Sequence, residues 1–240
     1  MSSSASAPGV RSAVRHRVIE RGTRGLWRHL PVLLIASAVC GVGVLVSLAI
    51  ARGSVVILLA LAPLLVGPTL LPLFRVMRRI LLEDDSDLRG YLASWRGRWW
   101  LGILFLGVPA GSLLLALLGL AAAQESGAWV YGISAALATG VGVLSTAVGV
   151  VGLPLAAARP ALGLRRMLLS AAYVLRRWPW RFVVPAVALT AAALLLPGRL
   201  SPALLVVPGL LASAISVPYW LCAIDLGAKD VQLVEEQPRR

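Results

Sequence analysis

The sequence predicts an all-α protein, a polytopic bundle of about six transmembrane helices with two amphipathic connecting helices on the cytoplasmic side. Of the 240 residues, 59% are hydrophobic and only 14% are charged. An ordinary soluble domain is about half apolar and about a quarter charged. The apolar residues form long runs without Asp, Glu, Lys or Arg, and a helix needs about 20 such residues to cross a bilayer. Most arginines lie in clusters between these runs.

Six apolar runs follow one another, separated by short turns or by longer basic stretches. We expect membrane spans at about 31–51, 55–74, 99–123, 128–154, 182–197 and 202–224. Residues 1–30 then form a basic cytoplasmic segment, 31–225 the transmembrane domain and 226–240 a charged tail. The first run is read as a retained span, because it is longer than the roughly 7–15 apolar residues of a signal peptide.

The distribution of positive charge predicts the orientation. With both termini in the cytoplasm, the inner segments contain 21 Lys and Arg residues, and the outer turns contain only Arg52 and Arg199. Such an excess marks the cytoplasmic side. Seven of the eight tryptophans also fall near the predicted inner interface, where indole rings favour the headgroup depth. The sequence therefore predicts a multi-pass protein of the bacterial plasma membrane.

Two cytoplasmic stretches share a pattern. Arg78-Arg79-Ile80-Leu81-Leu82 recurs as Arg165-Arg166-Met167-Leu168-Leu169, and apolar residues at helical spacing predict amphipathic helices at 87–98 and 161–178. Basic residues on such helices contact anionic headgroups. The candidate contact residues are Arg78, Arg79, Arg165, Arg166, Arg176 and Arg177. Lipid contact alone explains the pattern, and docking of a cytoplasmic partner is the alternative.

An acidic run at 83–87 lies between Arg78–Leu82 and the predicted helix at 87–98. It lacks the alternating ligands and the glycine of a calcium loop, so a metal site is not expected. We interpret it as a solvated turn in which Asp85 or Ser86 caps a helix that starts near Asp87.

Small residues mark two places where helices are expected to bend or to pack closely. In the fourth span, Gly142 and Gly149 belong to a face of small residues, for which Gly41 and Gly43 of the first span are the expected partners. Homo-oligomerisation is the second interpretation of this face. In the second span, Gly67-Pro68-Thr69 predicts either a simple kink, which we favour, or a break whose free carbonyls line a cavity.

No enzymatic motif is found. The chain lacks GxxxxGK[ST], HExxH and GxSxG, and neither Cys40 nor Cys222 has a nearby metal-ligand partner. No cofactor, metal or catalytic residue is expected. The formal charge of +13 flanks membrane spans, so it indicates headgroups and not nucleic acid. The predicted spans contain no ionisable residue, which disfavours ion-coupled transport.

The stretch from Leu65 through Gly67-Pro68-Thr69 to Arg78-Arg79, and then Tyr91 to Arg96, resembles the YesL-like family of bacterial membrane proteins. The segment 164–179 also fits that pattern. Leu70-Leu71-Pro72 departs from the small residues usual there, and the basic amino-terminal segment is longer than expected. The resemblance implies a non-enzymatic accessory role beside carbohydrate uptake systems of the ABC type.

Three functional classes are compared on the sequence. The first is an accessory membrane protein that contacts importer subunits, or a second copy of itself, through the cytoplasmic helices. The second is a facilitator or permease for an uncharged small solute. The third, the permease subunit of an ABC importer, is rejected. Such subunits carry Glu-Ala-Ala followed by a closely spaced glycine, whereas this chain has Ala156-Ala157-Ala158 and then Gly163.

Overall fold

A computed structural model describes residues 15–16, 18–83, 87–95, 97–159, 161–184 and 203–226, and every element of regular structure in these ranges is helical. A π-helical turn at Arg21–Gly25 and a short turn at Leu26–Arg28 come first. The longer helices are α1 (Leu30–Ala51), α2 (Val55–Leu65), α3 (Gly67–Glu83), α4 (Leu88–Ser94), α5 (Trp100–Ser126), α6 (Trp129–Ala158), α7 (Leu164–Arg177) and α8 (Ala203–Asp225). A further helical stretch begins at 179.

The helices have the length and composition of membrane spans. In the described ranges α1, α5, α6 and residues Leu205–Asp225 of α8 each suffice to cross a membrane, and α2 with α3 supplies a fifth candidate as one bent span. These helices are compatible with an integral membrane protein. The predicted span at 182–197 lies, from residue 185 onward, outside the described residues.

Short turns join α1 to α2 and α5 to α6. Arg52 adopts the left-handed backbone conformation (φ 44°) and its N–H bonds to the Leu48 carbonyl, which ends α1. Ser54 then caps α2 by accepting a bond from the Ile57 N–H. Gly127, with φ 67°, ends α5 in the same left-handed region. Each turn therefore produces an antiparallel pair of helices.

The second predicted span is bent and longer than expected. Helices α2 and α3 meet at Val66 with an angle of 49°. Pro68 cannot donate to the Leu64 carbonyl, and a proline is well tolerated in the first turn of a helix, so the break falls just before it. The helix continues beyond the predicted span end at 74, since α3 reaches Glu83.

Helix α3 is the centre of the core. It contacts α1, α5, α6 and α8. Its side chains Leu71, Leu73, Met77, Ile80 and Leu81 are fully buried. The stretch that starts at Arg75 was expected to lie at the surface, but here it packs inside the bundle. Trp220 of α8, assigned to an interfacial belt from the sequence, is also buried.

Helix α4 begins and ends differently from the prediction. Asp87 is its N-cap, with the carboxylate accepting a 2.7 Å bond from the Gly90 N–H. The expected cap at Asp85 or Ser86 is therefore wrong. The helix ends at Ser94 and not near 98, because the chain bends at Gly97 before α5 begins at Trp100.

Candidate functional site: the arginine-rich end of the bundle

One end of the bundle collects the basic segments, and we call it the arginine-rich end. It consists of residues 15–16 and 18–28, the last turns of α3, helix α4, residues 97–99, residues 159 and 161–184, and the last turn of α8. The opposite end contains the two short turns, with Arg52 as the arginine that is described there. The arginine-rich end therefore carries the polar chemistry of the described chain.

Four arginine side chains tie distant segments together at this end. Arg21 Nη1 donates a 2.6 Å bond to the Leu82 carbonyl, and Arg75 Nη1 donates to the Ser94 carbonyl. Arg98 Nη1 donates a 2.8 Å bond to the Leu162 carbonyl. Arg181 Nη1 lies 2.9 Å from Asp225 Oδ2. These bonds bring the three basic stretches and the end of α8 into one surface, a long-range arrangement that no local pattern indicates.

The Arg75 bond depends on a glycine. Its guanidinium lies so close to the backbone of Gly97 that a Cβ at this position would overlap both Nη atoms. Gly97 thus lets the chain after α4 fold back over α3. Sequence reasoning missed this role, although a glycine between two basic residues in an aromatic segment was a usable signal for a tight bend.

The predicted contact residues Arg78 and Arg79 lie on α3. Arg78 Nη2 is 3.7 Å from Glu83 Oε1, and Arg79 Nη1 is 3.9 Å from Asp87 Oδ1. Both pairs are long and partly exposed, so each stabilises the fold little. The Arg78 Nε is buried without a hydrogen-bond partner in the described part of the chain. These two arginines border the core and do not form a freely exposed surface.

The other four predicted contact residues lie on α7 and are exposed. Helix α7 buries only a narrow face made of Met167, Ala171 and Val174, which packs mainly against α6. Arg165, Arg166, Arg176 and Arg177 are exposed, and within the described ranges none of them forms an ion pair. The exposed apolar side chains Leu169 and Tyr173 lie on the same helix. The structure thus separates the six predicted arginines into two groups.

At the end of α7, two arginines share one aromatic ring. The guanidinium carbons of Arg177 and Arg181 lie 5.3 Å and 5.5 Å from the centre of the Trp178 ring. These distances are those of cation–π contacts. The ring therefore helps to order the chain between α7 and the stretch that begins at 179.

A buried aromatic pair lies behind α4. The rings of Tyr91 and Trp95 meet edge to face at 6.2 Å. Burial raises the pKa of the Tyr91 phenol; the nearby Trp95 indole lowers it, and the Cys40 thiol adds to the increase. No hydrogen bond of acceptable geometry joins the two rings, so the Tyr91 hydroxyl and the indole N–H lack partners among the described residues.

The Gly67-Pro68-Thr69 element forms a tightly packed bend. The Val66 carbonyl accepts bonds from both the N–H and the hydroxyl of Thr69, at 3.0 and 2.7 Å. A Cβ on Gly67 would lie 2.7 Å from the Ile103 Cα, and one on Gly102 would overlap the Gly67 carbonyl. The Val66 carbonyl is therefore satisfied, and the role of Gly102 was not anticipated.

The small face of α6 packs against α5. A Cβ on Gly142 would meet Ser112 at 3.4 Å, and one on Gly149 would meet the Phe105 carbonyl at 3.3 Å. The expected partner, α1, is wrong: Gly43 of α1 faces the Leu65 carbonyl at the end of α2 instead. The physical reason is the short turn at Gly127, which makes α5 and α6 immediate antiparallel neighbours.

In the described ranges, no group of three or more His, Cys, Asp or Glu side chains could hold a metal ion. No protein-family model matches the chain, and no curated protein or solved structure matches it either.

Proposed function

We propose that this protein is a non-enzymatic accessory protein of the bacterial plasma membrane, a member of the YesL-like family with six spans and both termini in the cytoplasm. Helix α7 is its contact surface for a partner on the cytoplasmic side. The observation that carries the proposal is the exposure of α7, which buries one narrow face and presents arginines beside apolar side chains.

The arginine ties support the proposed topology. Positive residues beside membrane spans mark the cytoplasmic side, so the arginine-rich end is the cytoplasmic end. Arg181 and Asp225 form an ion pair at this end, and residues 18–28 lie there too. The proximity of Arg181 to Asp225 agrees with two spans between them, as predicted at 182–197 and 202–224.

The composition of α7 supports its role as an amphipathic contact helix. Leu169 and Tyr173 are more than half exposed, and Arg165, Arg166, Arg176 and Arg177 are exposed around them. Apolar and basic residues on one helix suit the boundary between acyl chains and anionic headgroups. The same composition suits a protein groove that receives an amphipathic helix. Through the family resemblance, we propose a subunit of a carbohydrate importer as the partner, with a second copy of this chain as the alternative.

A facilitator for an uncharged solute is less well supported. A sugar that crosses a bundle needs hydrogen-bonding groups along its path, because unpaired hydroxyls are costly to bury. The cavity inside this bundle is lined almost entirely by apolar side chains.

The proposal is tested by photo-crosslinking in cells from positions 168 and 173 of α7. Both side chains are exposed, whereas Met167 on the same helix is fully buried and serves as the matched control. Position 115 on α5, which is exposed on a predicted span, reports contact with lipid. We expect one importer subunit to be captured from 168 and 173 and not from 167 or 115. Capture of lipid alone from all exposed positions contradicts the accessory role.

A second part of the experiment replaces four arginines of α7 by glutamine, at Arg165, Arg166, Arg176 and Arg177. Each replaced arginine removes about 1 kcal/mol of attraction to an anionic surface. The membrane spans keep the protein inserted, so loss of the crosslinked partner reports on docking. If the purified protein alone carries a neutral sugar into liposomes at a saturable rate, the accessory role is wrong and the protein is a facilitator.

The topology has its own measurement. Reporter fusions at Ser54, Ser126 and Arg199 should score as periplasmic, and fusions at Ser86, Ser170 and the carboxyl terminus as cytoplasmic. A cytoplasmic signal at Ser126 overturns the proposed orientation.

A further inference from the structure

A cavity of about 500 Å³ lies inside the bundle and is bounded by α1, α2, α3, α5, α6 and α8. It lies beside the bend, since Val66 is part of its wall, and it extends from Cys40 and Val44 of α1 to Ile215 of α8. Its volume falls in the range of about 300–1,000 Å³ that is typical of small-molecule sites. The cavity is therefore large enough for a ligand.

The wall offers almost no polar group. Among the described residues of the wall, two side chains are polar, Cys40 and Thr146. The Thr146 hydroxyl already donates a 2.8 Å bond to the Gly142 carbonyl. Water in a cavity needs about 2–4 polar partners, and apolar cavities stay dry and accept apolar molecules. The chemistry of the wall selects an apolar occupant over water or a sugar.

A smaller cavity lies beside the main cavity, whose wall is partly exposed. Leu113 and Thr146 line it and are also exposed, and they lie near the middle of α5 and α6. A second cavity of about 260 Å³ shares Thr146 and Val150 with the first. It extends to Leu175 of α7 and Phe182. Thr146 and Val150 are thus common wall residues of two apolar cavities, and the smaller cavity lies on the side of α7.

We propose that the larger cavity holds one acyl chain of a membrane phospholipid, which enters from the hydrocarbon of the bilayer on the side of Leu113 and Thr146. The opening lies where a spanning helix would meet hydrocarbon, so the bilayer supplies the ligand. Recognition is by the acyl chain, because the described part of the wall has no spare polar group for a headgroup. This site does not depend on the accessory role, and it exists whether or not α7 binds a partner.

The test is native mass spectrometry of the purified full chain after detergent exchange, with Val44→Phe against Val46→Phe. Val44 lines the cavity, whereas Val46, two residues further along α1, is 41% exposed on the outside. We expect one retained phospholipid per chain in the wild type and in Val46→Phe, and none in Val44→Phe. Equal retention in both variants, or no retained lipid in the wild type, overturns the proposal.

A second pair keeps the test decisive if Val44→Phe does not fold. Val150 belongs to both cavities, and Val141 on the same helix is 54% exposed. Val150→Phe should lose the lipid and Val141→Phe should keep it. Reloading the delipidated wild type with phosphatidylglycerol or phosphatidylcholine of identical chains should succeed equally. Binding of phosphatidylglycerol alone would show recognition of a headgroup and refute an acyl-chain site.

Cys40 gives an independent readout. In Cys222→Ala it is the remaining cysteine of the chain, and it is 1% exposed in the cavity wall. N-ethylmaleimide should modify Cys40 slowly in the lipid-loaded protein and several-fold faster after delipidation. Unchanged rates would mean that no chain occupies the cavity. This outcome leaves the crosslinks of α7 untouched, so failure of the lipid site is distinguishable from failure of the accessory role.

Discussion

The segments 78–82 and 165–169 have nearly the same sequence and very different surroundings. In the first, Ile80 and Leu81 are fully buried and Leu82 is 3% exposed. In the second, Met167 is fully buried, but Leu168 and Leu169 are 38% and 63% exposed. Helix α3 has four large neighbours, whereas α7 packs mainly against α6. The shared pattern produces a helix in both places, and the number of neighbouring helices decides how much of it is buried.

The strongest test of this comparison is Leu81→Ala against its counterpart Leu168→Ala. Truncation of a buried leucine costs about 2–5 kcal/mol, because transfer energy is lost and a cavity remains. Leu168 is partly exposed, so its truncation should cost well under half as much. Thermal unfolding in mild detergent measures both variants. Equal losses of stability would mean that α7 is as deeply packed as α3.

A second test compares arginines of the two helices. Arg75 donates to the Ser94 carbonyl and holds α4 against α3, whereas Arg176 is exposed without an ion pair in the described ranges. Hydrogen bonds that involve a charged group are worth about 1.5–3 kcal/mol. Arg75→Gln should therefore increase hydrogen exchange throughout α4, and Arg176→Gln should leave it unchanged. Unchanged hydrogen exchange in both variants would show that the bond from Arg75 to the Ser94 carbonyl does not hold α4 in place.

The third test asks whether neighbours also decide packing on α6. Gly142 faces Ser112 and Leu113, whereas the adjacent Val141 is 54% exposed. Gly142→Leu should destabilise the protein by about 1–3 kcal/mol, because overpacking forces α5 and α6 apart. Val141→Leu should melt like the wild type. Identical melting of the two variants would contradict close packing through the small face.

The smallest expected effect concerns the buried hydroxyl behind α4. Tyr91→Phe removes a hydroxyl without a described partner, so near neutral pH stability should be unchanged or slightly higher. Burial raises the Tyr91 pKa in the folded state, so folding resists ionisation and the wild type loses stability as pH rises above about 10. The variant should lose less over that interval in parallel melts. Parallel pH curves would show that Tyr91 is not buried as described.

Much of the helical architecture follows from local pattern. The apolar runs at 31–51, 99–123, 128–154 and 202–224 correspond to α1, α5, α6 and α8, because length and hydropathy are read directly from the chain. The course of α3 was not predictable in this way. Arginines at 75, 78 and 79 indicate a surface in any local window, and only the assembled bundle buries the opposite side of that helix.

The candidate site was predicted in part. The exposed arginines of α7 follow from the basic, helically spaced segment, and their exposure agrees with that pattern. The ties of Arg21, Arg98 and Arg181 join residues that are 44 or more positions apart along the chain, and the first two end on a backbone carbonyl. A carbonyl acceptor leaves no trace in sequence, since every residue has one. Gly97 and Gly102 escaped notice for a related reason, because the atoms that crowd them belong to other helices.

Three of the four arginine contacts at the arginine-rich end leave its net positive charge unchanged. Arg21, Arg75 and Arg98 donate to neutral carbonyl oxygens. These bonds hold the segments together, and each guanidinium keeps its net positive charge. An ion pair would have removed that charge from the far field. Added salt shortens the Debye length from about 30 Å at 0.01 M to about 8 Å at 0.15 M, and so weakens long-range attraction to an anionic surface. It acts far less on a short bond to a carbonyl. Ionic strength can therefore change the attraction of the arginine-rich end to a charged surface, while the hydrogen bonds within this end remain intact.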